Sequence, residues 1–179
     1  MKNQLVRMAQ YNQWMNNKLY TVAMQVSAED LVKDQGAFFK SILGTLNHIM
    51  VADVLWFKRM ASHEANFANL QLFRDHENPG SLKEVLYADI SELFAERQRM
   101  DNAILAFVAA LSEDELNSEL DYCSTEGSAY RDRLEVLLQH VFNHATHHRG
   151  QLTTLYNQMG LESGLTDLMW MLREQEAAA

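Results

Sequence analysis

Leu134-Glu-Val-Leu137-Leu-Gln-His140-Val141-Phe-Asn143-His144-Ala-Thr-His147-His148-Arg149-Gly150-Gln151-Leu152-Thr-Thr-Leu155-Tyr-Asn-Gln-Met159 is a helix written in its apolar spacing, and it holds four of the seven histidines of this 179-residue chain. At about 100° per residue, with His140 at zero, Leu134, Leu137, Val141, Leu152, Leu155 and Met159 gather between about 60° and 120°. The core therefore lies near 90°. His148 falls at about 80° and His144 at about 40°, while His140 at about 0° and His147 at about 340° turn toward the rim. The spacing predicts a helix from Asp132 to Met159, ended by Gly160 as a left-handed cap.

Three more long helices are expected upstream. Leu5, Met8, Asn12, Met15, Leu19, Val22 and Val26 step by three and four, predicting a first helix over Asn3 to Gln25, with Asn12 as the one polar member of its seam. Ser27 to Asp30 then breaks the pattern. A second helix, Phe38 to Ser62, is apolar over much of its surface and reads as well buried. Residues His63 to Gly80 have no sustained period. Ser81 with Glu84 fits a capping box, which predicts a third helix over Leu82 to Leu111. Before the histidine helix, residues 120–131 suggest a small hairpin turning near Gly127, and a short last helix is expected over Thr166 to Glu174. One Pro and seven Gly leave long helices uninterrupted. The prediction is an all-α four-helix bundle in one domain, 1–179. The connection between the second and third helices, about 18 residues, can span on the order of 60 Å, longer than a 25-residue helix at about 37 Å, so those two helices are free to run parallel.

The charge balance narrows the function. Fifteen basic against 24 acidic residues give a net charge of −9, which lacks the basic footprint of a nucleic-acid binder and is repelled by an anionic membrane surface. No stretch approaches the roughly 20 apolar residues of a membrane span, and the first residues run into amphipathic helix without an apolar signal core, so a cytoplasmic protein is expected. The lone Cys123 excludes an internal disulfide framework and a Cys-rich zinc site, and it is given no role.

His144 and His148, one turn apart on one face, can hold a single metal ion. The Glu of a His-Glu-x-x-His helix is absent, because Asn143 precedes His144 and Ala145 follows it, so this is no metalloprotease helix. A ferritin-like di-iron site is disfavoured too, since no Glu-x-x-His occurs. His48 is the best third ligand; Ser41, Gly44, Thr45 and Ala52 leave room beside its ring. Two readings fit this room: a ligand opening onto a cavity, or a hydrogen-bonded core histidine in close helix packing. For the whole cluster the alternatives are metal binding and structural hydrogen bonding. Three inward histidines are costly without a purpose, since each brings a polar nitrogen that must be satisfied. Three neutral imidazoles make an open site that lowers the pKa of a bound water or takes a thiol as thiolate; zinc is the default, with nickel, manganese or iron as alternatives.

The segments Tyr11-Asn12-Gln13-Trp14, Phe38-Phe39-Lys40-Ser41-Ile42, Thr45-Leu46-Asn47-His48 with Ala52-Asp53-x-x-Trp56, and above all Asn143-His144-x-x-His147-His148-Arg149-Gly150-Gln151 resemble the DinB/YfiT-like family of metalloenzymes. The resemblance covers most of the chain. It implies a bundle in up-down-down-up order, commonly a homodimer, with one metal on His48, His144 and His148. Related members are metal-dependent transferases and isomerases that use low-molecular-weight thiols such as mycothiol or bacillithiol. The expected protein is therefore a metal-dependent enzyme activating a small thiol toward a small-molecule substrate in a cavity between the first, second and fourth helices. A hydrolase using metal-bound water and a non-catalytic metal-binding module are the alternatives. No general base is identifiable in the sequence.

Tyr11, Asn12 and Trp14 are candidate substrate-binding residues, weighed against roles in packing and register. Arg149, at about 180° on the wheel, is read as structural, with Asp53 as its candidate partner or as a group supporting the site. His63 and His76 are read as solvated loop residues.

Overall fold

Capping side chains decide where the helices begin. The structure is a computed structural model that describes residues 1–178. Helix α1 spans Lys2–Ala23 and buries Leu5, Ala9, Asn12, Met15, Asn16 and Leu19 along one face. Ser27, read in the sequence as a break, is an N-cap: its hydroxyl accepts from the Asp30 amide at 3.1 Å and opens the short helix α2, Ala28–Val32. Ser41 does the same for α3, Ile42–Ala61, accepting from the Gly44 amide at 3.0 Å. The second long helix thus starts four residues later than Phe38. Residues 37–40 form a tight turn closed by an Ala37–Lys40 bridge, with Lys40 at φ 68°. Gly44 is required here, because a Cβ would stand 2.2 Å from the Phe39 carbonyl oxygen.

The third long helix, α5, spans Ile90–Ala110, eight residues shorter at its start than the Ser81–Glu84 pattern predicts. The backbone of residues 82–87 is engaged elsewhere. The Leu82 carbonyl accepts from His48, and the Tyr87 amide and carbonyl pair with the Asn47 side chain at 3.0 Å each. Those groups are then unavailable to a helical ladder, and the helix waits for the Asp89 cap, whose carboxylate accepts from the Ser91 and Glu92 amides. A 3₁₀ turn at Ala68–Leu70 leads into α4, Gln71–Asp75, which buries Phe73 against Phe57. The full capping box lies instead at Ser112 and Glu115, opening α6, Glu113–Asn117. The expected hairpin is present: β1, Glu119–Cys123, pairs antiparallel with β2, Ala129–Arg133, with Tyr122 opposite Tyr130 and Gly127 at φ 86° in the turn. Helix α7 runs Leu134–Gln158 and ends near Gly160 at φ 73°; α8 runs Leu168–Ala178.

Side-chain pairs fix the helix directions. Gln13 bonds Asn102 and Tyr20 stacks on Phe94, so α1 and α5 are antiparallel. Asn12 meets Arg149 and the Tyr156 hydroxyl donates to the Leu19 carbonyl, so α1 and α7 are parallel. His48 faces His148 and Trp56 faces His140, so α3 and α7 are antiparallel. The long helices therefore follow up-down-down-up order, with α3 and α5 running the same way. No helix among the described residues is long and apolar enough to cross a membrane.

The centre of the bundle is polar as well as apolar. Arg97, fully buried, lies 2.6 Å from Asp53 and 3.0 Å from Asp101. Asp101 also accepts from the Asn12 and Asn16 amides at 3.1 and 3.0 Å. Burial disfavours the Arg97 charge, but the two carboxylates outweigh it and raise its pKa. Arg149 enters the same network through Asn12, Asn16 and Thr146 rather than through Asp53. Its wheel position suggested an outward side chain. It is 2% exposed because α7 packs on α1 as well as on α3, so the buried arc is wider than the apolar stripe.

Candidate metal centre

The ring of His48 is placed from three sides. On α3 it faces α7 across the bundle, its Nδ1 donates to the Leu82 carbonyl at 2.8 Å, and the Phe39 ring stacks on it at 3.7 Å between centroids. Phe39 fills the room that the small residues around Gly44 leave open. On α7 the His148 Nδ1 donates to the Gln151 side-chain carbonyl at 2.8 Å. With both Nδ1 atoms engaged as donors, the lone pairs of His48 and His148 reside on Nε2, the tautomer that fixed outer partners impose on metal-binding histidines. Those nitrogens converge with that of His144, at Nε2–Nε2 distances of 3.3 Å from His48 and 3.0 Å from His148. One ligand atom from each of the three lies within 4.8 Å of the others.

Electrostatics keep these nitrogens free. Burial, then the positive forms of His148, His48, His140 and His147, push the His144 pKa down to about 3. Burial also lowers His48 and His148, against the opposing pull of the Leu82 carbonyl and of Gln151. All three are neutral at pH 7, the form that imidazole ligation requires.

That depression makes stability depend on pH. The folded chain resists protonation while the unfolded chain takes up protons at the ordinary histidine value of 6.5. The contribution is whole above that pH and is lost progressively toward about 3, where His144 itself protonates. The melting temperature of the metal-stripped protein is expected to fall between pH 7 and pH 5, and to fall less in His144→Gln. Thermal melts across that range check it; equal slopes in the two proteins would contradict it.

A cavity of about 330 Å³ opens beside the cluster. His48, Ala52, Leu55, Trp56 and Arg59 of α3 form one wall, His140 and His144 of α7 another, and Leu82 and the hairpin residues Tyr122, Ser124, Thr125 and Tyr130 close it. The cavity is thus built by α3, α7 and the hairpin, and α1 takes no part. Tyr11, Asn12 and Trp14, the candidate substrate-binding residues, have other partners. The Tyr11 hydroxyl donates to the Thr166 carbonyl and the Trp14 indole to Glu174 at 2.8 Å, tying the C-terminal segment to α1, while Asn12 sits in the buried Asp101–Arg149 network. These residues fall on the far face of α7 because α1 meets that helix through Arg149 rather than through the histidines. His140 and His147 are at the rim, as their wheel positions indicate. His63 and His76 are not solvated: His63 is 7% exposed and bonded to Ser118, and His76 pairs with Glu96. Arg59 and the hairpin wall escaped the sequence reading; the paired tyrosines of the two strands were the available signal. Cys123 is a free, exposed cysteine.

Gln151 has a role that the geometry makes testable. It accepts from His148 Nδ1, and its amide reaches His147 Nε2 at 3.3 Å. Gln151→Leu is expected to weaken zinc affinity by roughly 10- to 100-fold, the usual effect of losing an outer partner. Competition with a coloured chelator measures it, and unchanged affinity would contradict the assignment.

An up-down-down-up helical bundle with three histidines converging at the edge of a cavity defines the class of protein. A model of the DinB family matches residues 1–178. The chain belongs to the DinB family. It is 25% identical over 161 residues to Protein DinB of Bacillus subtilis (strain 168), covering 90% of this chain and 89% of that one. Among solved structures it is similar to YfiT from Bacillus subtilis, described as a probable metal-dependent hydrolase with an unusual four-helix bundle topology. The TM-score is 0.61, with 18% identity and coverage of 90% of this chain and 91% of that one.

Proposed function

We propose that His48, His144 and His148 hold one divalent metal ion, with zinc the first choice and nickel, manganese or iron the others, and that the chain is an enzyme acting on a small molecule in the adjoining cavity. The observation that carries this reading is the convergence of three Nε2 atoms whose partner nitrogens on His48 and His148 are already committed to carbonyl oxygens. A hydrogen-bonded structural cluster accounts for it less well: His48 and His148 both present lone pairs at Nε2, so the single proton of His144 Nε2 is all that could bond the three rings together, one donor for two acceptors. Bound there, a divalent ion supplies Lewis acidity and lowers the pKa of a water or thiol.

For the reaction, activation of a low-molecular-weight thiol is the reading we favour. Among the described residues lining the cavity there is no Asp or Glu to serve as general base. A thiol needs only ionisation to become a strong nucleophile. His140 stands on this wall, and burial, then Arg59, lower its pKa, so it is neutral and able at pH 7 to take a proton from a thiol or, in the second reading below, from a water. Leu55, Ala52, Leu82 and Trp56 offer an apolar bed for the electrophile. Hydrolysis is the second reading, favoured by the description of YfiT. Zinc-loaded protein assayed with a chromogenic aryl halide and with 4-nitrophenyl acetate, each with and without a small thiol, separates them. Turnover of the halide only with thiol supports the first reading; ester turnover without thiol supports the second and sinks the first.

A further inference from the structure

Among the described residues, the cavity lining carries one cation and no carboxylate, in a chain of net charge −9. That cation is Arg59, near the end of α3. The guanidinium lies over the Trp56 ring at 4.6 Å and faces the Tyr122 ring at 5.6 Å. Among the described residues no carboxylate pairs with it and no hydrogen bond engages its N–H groups, although the side chain is half-buried. Aromatic faces hold the plane of an arginine while leaving the N–H edges free, which is the arrangement that receives an oxyanion bidentately. Ser124 and Thr125 add hydroxyl donors on the hairpin side of the same cavity.

We propose that Arg59, seated against the edge-packed rings of Trp56 and Tyr122, is an oxyanion subsite of the cavity, and that the substrate or co-substrate is an elongated small molecule with a carboxylate or phosphate at the end remote from the histidines. The proposal rests on the reading of the three histidines as the reacting centre. Arg59 follows His48 by eleven residues on α3, about 16 Å along the helix axis, and the arginine side chain leans back toward the helix N-terminus, which shortens the gap. A chain of several carbons along Leu55 and Trp56 spans it. Binding at that distance orients the reacting end and supplies binding energy away from the chemistry. Among the described residues no carboxylate lines the cavity, so no fixed negative charge there opposes the anion.

The test uses zinc-loaded protein and three probes that share a thiol and a six-carbon chain: 6-mercaptohexanoate, 6-mercaptohexyl phosphate and 6-mercaptohexanol. Calorimetric titration is expected to show at least one charged probe binding about tenfold or more tighter than the alcohol, as charge-assisted bonds to arginine do. Which acid is preferred identifies the source of the oxyanion. In Arg59→Gln the preference collapses to near unity with the alcohol unaffected; Arg59→Lys restores part of it. Equal binding of all three probes to the wild type, or a preference that survives Arg59→Gln, overturns the subsite. A purely structural arginine would shift all probes together, which also overturns it. Zinc content is measured first on each protein: its absence contradicts the metal reading, while the ratio between probes still decides the role of Arg59.

Discussion

His148→Ala is expected to leave the chain unable to retain zinc through gel filtration, while His147→Ala, one residue away, keeps a full equivalent. The two side chains differ in direction, not in type. His148 is 8% exposed, with Nε2 3.0 Å from that of His144 and Nδ1 anchored on Gln151. His147 is exposed on the rim and belongs to no ligand group. Removing a ligand costs more than the roughly 10- to 100-fold that loss of an outer partner costs. His144→Ala and His48→Ala are expected to behave as His148→Ala does. Elemental analysis of the purified variants measures this, with thermal melts of the metal-free forms to show that they fold. Full occupancy in His148→Ala would refute the ligand assignment, and loss in His147→Ala would move the site toward the rim.

The largest effect on stability is expected in the buried polar network at the centre of the bundle. Asp53→Asn removes one of two carboxylates that balance the fully buried Arg97. Leaving a buried charge without its partner typically costs about 3–5 kcal/mol, which in a chain of this size lowers the melting temperature by roughly 6–20 °C. Arg97→Met, which strands Asp53 and Asp101 together, is expected to lie in the same range. Calorimetric melts at neutral pH check both. A shift of only a few degrees in Asp53→Asn would mean that Asp101 alone sustains the Arg97 charge. Metal affinity in the folded variant should be little changed, because neither residue touches the histidines.

The four long helices and the inward pair on α7 were legible because apolar spacing records burial directly. Their boundaries were less so. Ser81 and Glu84 have the capping-box pattern, yet the Asn47 side chain and the His48 ring capture the backbone of residues 82–87 and delay α5 to Asp89. Such competition comes from residues more than thirty positions away, and no local pattern reports it. The small residues around His48 do signal space beside the ring. What fills it is Phe39, held by the turn that Gly44 permits, and that depends on a backbone approach of 2.2 Å to an imagined Cβ. Arg149 shows the limit of a wheel with one core direction: a helix packed on two neighbours buries two flanks, and a polar flank is invisible to apolar spacing. The cavity was misplaced for a related reason. Its third wall is the hairpin, whose position over α3 and α7 follows from tertiary packing of Tyr122 against Trp56 and not from any helix period.

His48, His144 and His148 are proposed to form one metal centre. Chelator-stripped protein titrated with zinc and measured by X-ray absorption tests it most directly. Saturation is expected at one ion per chain, with three imidazole nitrogens bound at about 2.0–2.1 Å and no sulfur from the protein. Failure to retain zinc, or a shell dominated by carboxylate oxygen, would contradict it.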